Sequence, residues 1–204
     1  MDELLLHEDP RSGNCYKIRL TAHLLGLPLQ RLQYDILQGE TRTTEFLSKV
    51  NPSGCIPVLQ VGDHFLPESN AACWFLGENT ALIPDDSFDR ANMLRWMFFE
   101  QSAHEPNIAT LRFWLHFVGE NNLSTQQKSQ IMTKRIAGDE ALKAMDRHLT
   151  GREWFVGDAI SLADIALYAY THVAEAGGFR LQDYDQVCAW LRRIEDLPNY
   201  VPMD

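Results

Sequence analysis

The chain has 204 residues, enough for one large domain or two small ones around a substantial core. Its 45% hydrophobic and 23% charged residues exclude disorder and collagen-like repeats. Lys+Arg 18 against Asp+Glu 28 leave a net charge of −10, which argues against nucleic acid or an anionic membrane as partner while allowing a local basic pocket for a small anion.

Leu4-Leu5-Leu6 is an apolar run that predicts a strand covered on both faces. Asp9-Pro10-Arg11-Ser12-Gly13 then forms a turn cluster, and Ile18, Leu20, Ala22, Leu24 and Leu25 lie in a helix stopped by Gly26 and Pro28. A second strand is expected over residues 29–34 and a short helix over 41–50, closed by Asn51-Pro52-Ser53-Gly54. Val58–Val61 and His64–Leu66 read as a hairpin turning on Gly62-Asp63, and a helix follows from Ser69 to Glu78. The order is β-α-β-α-β-β-α, with a parallel first connection because a helix separates its strands.

Residues 79–88 read as a linker, and no strand is expected beyond it. A long helix opens at Ala91 and is expected to kink at Pro106. Ser124 with Gln127, and Ser161 with Asp164, have the spacing of capping boxes, the second opening a helix that runs to Gly177-Gly178. Val187, Trp190, Leu191 and Ile194 mark a final amphipathic helix before Pro198. The division is thus 1–78, an α/β domain, then the linker, then an all-α helical bundle over 89–204. Apolar runs fall far short of the roughly 20 residues that span a bilayer. The acidic opening Met1-Asp2-Glu3 is unlike a secretory signal, and the four cysteines include no Cys-x-x-Cys pair, so a cytoplasmic protein is expected. The seven histidines show no metal-ligand spacing, and no metal is expected.

Three stretches of the first half carry chemistry. Ser12 precedes a helix N-terminus, where exposed N–H groups and the helix dipole favour an anion, although the same residue type is a leading helix cap. Pro57 stands at the start of an apolar strand, the position proline tolerates. Glu68-Ser69 forms a strand-to-helix turn where a carboxylate, a hydroxyl and N–H groups could hold an amino acid's charged ends.

In this order, the three stretches resemble the glutathione transferase family, with Asn-Pro-x-Gly-x-Ile-Pro-x-Leu and Glu-Ser in a thioredoxin-like half. Trp154-Phe155-Val156-Gly157-Asp158 and Ser161-x-x-Asp164-Ile165-Ala166 carry the resemblance into the helical half. The opening Ser-Gly-Asn-x-x-Lys is similar to bacterial members of theta and nu type. The resemblance implies that Ser12 hydrogen-bonds the glutathione sulfur, with Asn14 near it. It implies that the Ile56 backbone pairs with the cysteinyl unit, that Pro57 is cis, and that Glu68 and Ser69 bind the γ-glutamyl end. Cys55 stands where many members carry Lys or Arg, so Lys17, His64 or a partner-subunit residue would have to meet the glycyl carboxylate. A homodimer and a role in detoxification are implied as well.

A free thiol has a pKa of about 8.5, and one hydrogen bond to a charged group contributes about 1.5–3 kcal/mol, or one to two pKa units. Ser12 donating to sulfur would therefore make most of a bound glutathione thiolate at neutral pH. Cys15, in the first turn of the same helix, is a rival that would form a mixed disulfide. The second substrate is expected from the helical half, where His104 and Arg112 are polar positions in a stripe of Phe98, Phe99, Phe113 and Trp114. Attack on a carbon electrophile, disulfide reduction and peroxide reduction all need the same thiolate. A non-catalytic assembly module of the same fold is the competing class, disfavoured by the retention of Ser12, Glu68 and Ser69.

Overall fold

The computed structural model describes residues 3–203; Met1, Asp2 and Asp204 lie outside the described residues, and with them most of the acidic opening. The chain divides into two units. The first runs through Thr80 and takes in the segment that begins at Leu197, and the second spans Ala81 to Asp196.

The first unit is built on four strands: β1 (Leu4–Glu8), β2 (Gln30–Gln33), β3 (Val58–Val61) and β4 (His64–Pro67). Their order is β2-β1-β3-β4, with β1 and β2 parallel and the other two pairings antiparallel. Three helices accompany the sheet: α1 (Gly13–Leu24), α2 (Thr44–Lys49) and α3 (Ser69–Gly77). Helix α1 makes the crossover that a parallel pair requires. It ends in a Schellman motif, with Gly26 at φ +64, its N–H on the His23 carbonyl and the Leu27 N–H on Ala22. The expected helix over 41–50 is shorter than its pattern. A 3₁₀ turn over Glu40–Arg42 gives way at Thr43, whose hydroxyl accepts the Phe46 N–H at 3.2 Å and starts α2. Strand β2 lies at an edge with all four residues exposed, whereas Leu6 and Leu59 of the two central strands are fully buried. Gly62 at φ +56 turns the β3–β4 hairpin.

The second unit is helical: α4 (Ser87–Phe99), α5 (Glu105–Arg112), α6 (Thr125–Leu149), α7 (Leu162–Thr171) and α8 (Asp185–Glu195). Helix α4 starts earlier than its apolar run because the Asp86 carboxylate accepts the N–H groups of Phe88 and Asp89 at 2.9 and 3.0 Å. The kink expected at Pro106 is a π-helical segment, Glu100–His104, that widens the turn just before it. A proline ring clashes with the carbonyl four residues back, and a wider turn relieves that clash. A second π segment, Phe113–Val118, follows α5. Helix α7 stops at Thr171, short of the expected Gly177, and a separate 3₁₀ turn covers Ala174–Gly177.

Helix α7 is buried on every side, so its N-terminus must be satisfied internally. Asp164 does this: Oδ2 accepts Ser161 N–H and Oγ–H, both at 2.9 Å, and Oδ1 accepts Phe155 N–H at 3.1 Å and Trp190 Nε1–H at 3.0 Å. Burial raises the carboxyl pKa, against the pull of those hydrogen bonds.

Candidate active site

The strand register brings the three chemistry-bearing stretches to one end of the sheet. His7 pairs with Val58 and Val58 with Pro67, so β1 ends, β3 begins and β4 ends side by side. The turn carrying Ser12, the Ile56–Pro57 bond and the Glu68–Ser69 junction therefore neighbour one another. Sequence order alone could not show this, since 45 residues separate Ser12 from Pro57.

Ser12 is the N-cap of α1, its extended backbone at φ −81 and ψ 123 and its Oγ accepting the Cys15 N–H at 3.4 Å. Accepting that bond uses a lone pair and leaves the hydroxyl hydrogen to donate, so capping and thiol binding are compatible roles. Two residues on, Asn14 Oδ1 accepts the Ser69 hydroxyl at 3.1 Å, and Lys17 Nζ donates to Ser69 Oγ at 3.5 Å. This short chain joins the first turns of α1 and α3, two helix N-termini at the same end of the sheet. Lys17 has no exposed surface, so its ammonium serves the interior beside Ser69. His64 lies at the opposite end of β4 from Glu68.

Glu68 is exposed and sits at φ +73, ψ 111, a left-handed conformation that costs a non-glycine residue about 1–3 kcal/mol. It lies at the junction that starts α3. The Ile56–Pro57 bond is cis, with Pro57 buried and Ile56 half-buried. The loop before it is braced by Asn51, whose Nδ2 donates to the Cys55 carbonyl at 2.9 Å and whose Oδ1 accepts Ser53 N–H and Oγ–H at 3.1 and 3.0 Å. Cys55 is exposed. Arg42, which the motifs did not single out, donates to the Ser53 carbonyl at 2.7 Å and lies against Gly54. It sets an exposed cation beside the loop that carries Cys55.

Cys15 is fully buried, and burial pushes its thiol up to about 12 despite help from Ser12 and the Asp9 backbone. At neutral pH it is a thiol packed in the interior. In the second unit, His104 has no exposed surface and its Nε2 is 2.8 Å from Thr171 Oγ1, fastening the π segment to α7. Arg112 is buried with its guanidinium over the Phe117 ring at 4.8 Å. Among the described residues no group of three or more His, Cys, Asp or Glu is placed to hold a metal, and no helix is long and apolar enough to cross a membrane.

Two family models match: the glutathione S-transferase N-terminal domain over residues 11–79 and the C-terminal domain over residues 96–198. This chain belongs to the glutathione S-transferase family. Among solved structures, a possible glutathione S-transferase from Rhodopseudomonas palustris is 44% identical with a TM-score of 0.92, covering 98% of this chain and 90% of the other. A glutathione S-transferase from Pseudomonas fluorescens is 43% identical with a TM-score of 0.91 and covers 98% of both chains. A glutathione S-transferase-like protein, LUC7, from a Fusarium species is 31% identical over 196 residues, 90% of this chain and 85% of the relative. The two domains expected of a glutathione S-transferase, thioredoxin-like and then all-helical, are the fold described above.

Proposed function

We propose that this protein is a glutathione transferase that binds glutathione at the sheet end formed by Ser12, Ile56 and Glu68–Ser69. It holds the sulfur as a thiolate for attack on a small electrophilic or disulfide substrate. The observation that carries this reading is the bonded chain Lys17–Ser69–Asn14, which fixes two helix N-termini beside the Ser12 hydroxyl. Both ends attract anions, one suited to a sulfur and the other to the α-carboxylate of a γ-glutamyl group.

In this reading Ser12 Oγ donates its hydrogen to the sulfur while its lone pair keeps the Cys15 N–H. The thiol proton leaves to solvent, and the dipole of α1 adds to the stabilisation of the anion. Asn14 is oriented by Ser69: with Oδ1 turned to that hydroxyl, its amide nitrogen faces away. The Glu68 carboxylate meets the ammonium of the γ-glutamyl unit, and the first N–H groups of α3, that of Ser69 among them, meet its carboxylate, the Ser69 hydroxyl hydrogen being held by Asn14. The Ile56 backbone pairs with the cysteinyl unit, and Arg42 supplies the charge for the glycyl carboxylate that position 55 lacks. No metal takes part. The protein acts as a cytoplasmic homodimer in detoxification.

The buried Cys15 bears on which chemistry follows. With its thiol held near pKa 12, disulfide reduction would run through the thiolate of glutathione itself, not through a protein mixed disulfide at that residue. The test is the pH–rate profile of Ser12→Ala, which should move up by about one pKa unit or more. An unmoved profile reduces Ser12 to a cap. Turnover of a chlorinated nitrobenzene compared with hydroxyethyl disulfide then separates transferase from reductase activity. No heat of binding with millimolar glutathione would leave only the assembly-module reading.

A further inference from the structure

The turn that presents Ser12 is bound on every side. Asp9-Pro10-Arg11-Ser12 is a β-turn closed by the Ser12 N–H on the Asp9 carbonyl at 2.9 Å, with proline at the position that favours it. The Pro10 carbonyl accepts Arg19 Nη2–H at 3.0 Å, and Arg19 is itself paired with the fully buried Glu8. Inside the turn, Asp9 Oδ1 accepts the Arg11 backbone N–H at 3.0 Å and Arg11 Nε–H at 2.8 Å. Oδ2 accepts Arg11 Nη2–H at 2.6 Å and the Ile36 N–H at 3.3 Å.

The Arg11 guanidinium also reaches outward. Its Nη2 donates to Asp35 Oδ1 at 2.6 Å, and that same oxygen accepts the Leu37 N–H at 2.9 Å. Asp35 opens the stretch that leads through Glu40, whose carboxylate accepts the Asp35 N–H at 2.7 Å, to Arg42 on the Ser53 carbonyl. Ile36 and Leu37 of this stretch are exposed, so polar tethers at each end, not a hydrophobic core, hold it. One Arg thus joins the turn that holds Ser12 to the strut that ends on the loop before Ile56. A buried carboxylate such as Asp9 needs that countercharge, and a bidentate guanidinium also fixes direction, which an ammonium would not.

We infer that Arg11 is a positioning residue: by clamping Asp9 and Asp35 together it aims the Ser12 hydroxyl at the sulfur of bound glutathione. The inference rests on the reading of Ser12 as the thiolate donor. It predicts that Arg11 matters only through Ser12, without touching the tripeptide.

The experiment is a double-mutant cycle on the full chain, read by titrating the ultraviolet absorbance of the thiolate of reduced glutathione bound at saturation. Arg11→Met should raise the apparent pKa of the bound thiol by about half a unit to one unit. It should leave the dissociation constant for glutathione within about threefold, the split expected when a donor is misaimed but binding groups stay. In a Ser12→Ala background the same substitution should add no further shift. If Arg11→Met still raises the pKa there, or weakens binding without moving the pKa, the inference is overturned. If Ser12→Ala alone leaves the pKa in place, the reading of the site falls and the inference with it. Should Arg11→Met not fold, Asp35→Asn decides, because an asparagine keeps the Leu37 cap while losing the charge. A smaller shift in the same direction, absent in the Ser12→Ala background, supports the clamp, and no shift overturns it.

Discussion

The Ser69 hydroxyl donates to Asn14 Oδ1 across 3.1 Å, linking the first turns of two helices 55 residues apart in sequence. Ser69 also receives the buried Lys17 ammonium, so it is both acceptor and donor in the chain. Ser69→Ala removes this donor from Asn14 and this acceptor from Lys17, at a cost of about 1–3 kcal/mol. Calorimetric titration with glutathione should show affinity lowered about tenfold. Ser69→Thr, which keeps the hydroxyl, should restore most of it.

Native cysteine labelling should be simple. Cys55 is exposed, whereas Cys15 is fully buried with its pKa pushed up to about 12 and Cys73 is 2% exposed. Iodoacetamide at pH 7.5 should modify Cys55 first, and the fast phase should vanish in Cys55→Ser. Saturating glutathione should slow that phase several-fold, because the loop before Ile56 is part of the proposed site. Fast labelling at Cys15 would contradict its burial.

Arg42 braces the Ser53–Cys55 loop from outside. Arg42→Ala should raise the KM for glutathione by about fivefold to twentyfold while kcat falls less than threefold, the mark of lost uniform binding. Arg42→Lys keeps the charge but not the fork and should recover only part. Steady-state kinetics at varied glutathione checks both.

Acid should destabilise the second unit well above the carboxylate range. Burial, with the charge of Arg112 adding to it, lowers His172 from 6.5 to about 4, although its Nδ1 lies 2.9 Å from the Tyr168 carbonyl and its ring stacks on that tyrosine. The unfolded chain therefore takes up the proton first. Stability is whole above pH 6.5 and falls as the pH drops towards 4, by about 3 kcal/mol over the window. Urea midpoints between pH 7 and 4.5 should show this slope, and His172→Gln should flatten its share of it. His148 is lowered by burial too and leaves a residual slope.

Asp164 accepts four hydrogen bonds with its two oxygens in a fully buried setting. Asp164→Ala should cost about 3–5 kcal/mol, since two backbone N–H groups and an indole N–H lose a buried acceptor. Trp190→Phe, which removes one donor and keeps an aromatic ring, should cost about 1–2 kcal/mol. Chemical denaturation measures both.

What the sequence displayed was whatever is decided locally. The capping boxes at Ser124 and Ser161, the hairpin at Gly62-Asp63 and the Gly26 stop all depend on residues within a few positions of each other, and each stands where its motif lies. Ser12, Ile56, Pro57, Glu68 and Ser69 were legible as a set because their motifs are short and ordered, but their meeting at one sheet end came from strand register. The fates of Lys17, His104 and Arg112 were not legible, because each polar group is buried against a partner or ring that pattern does not specify: Ser69, Thr171 and Phe117. The Arg11 clamp was hidden for the same reason. An arginine in a turn reads as surface until Asp35 is seen beside it.

The segment beginning at Leu197 belongs with the first unit, and there the Tyr16 hydroxyl donates to the Val201 carbonyl at 2.7 Å. Translation therefore delivers that acceptor about 185 residues after the tyrosine it serves. That bond cannot form until the whole helical half has been synthesised, so a fastening of the first unit depends on a residue made after the second.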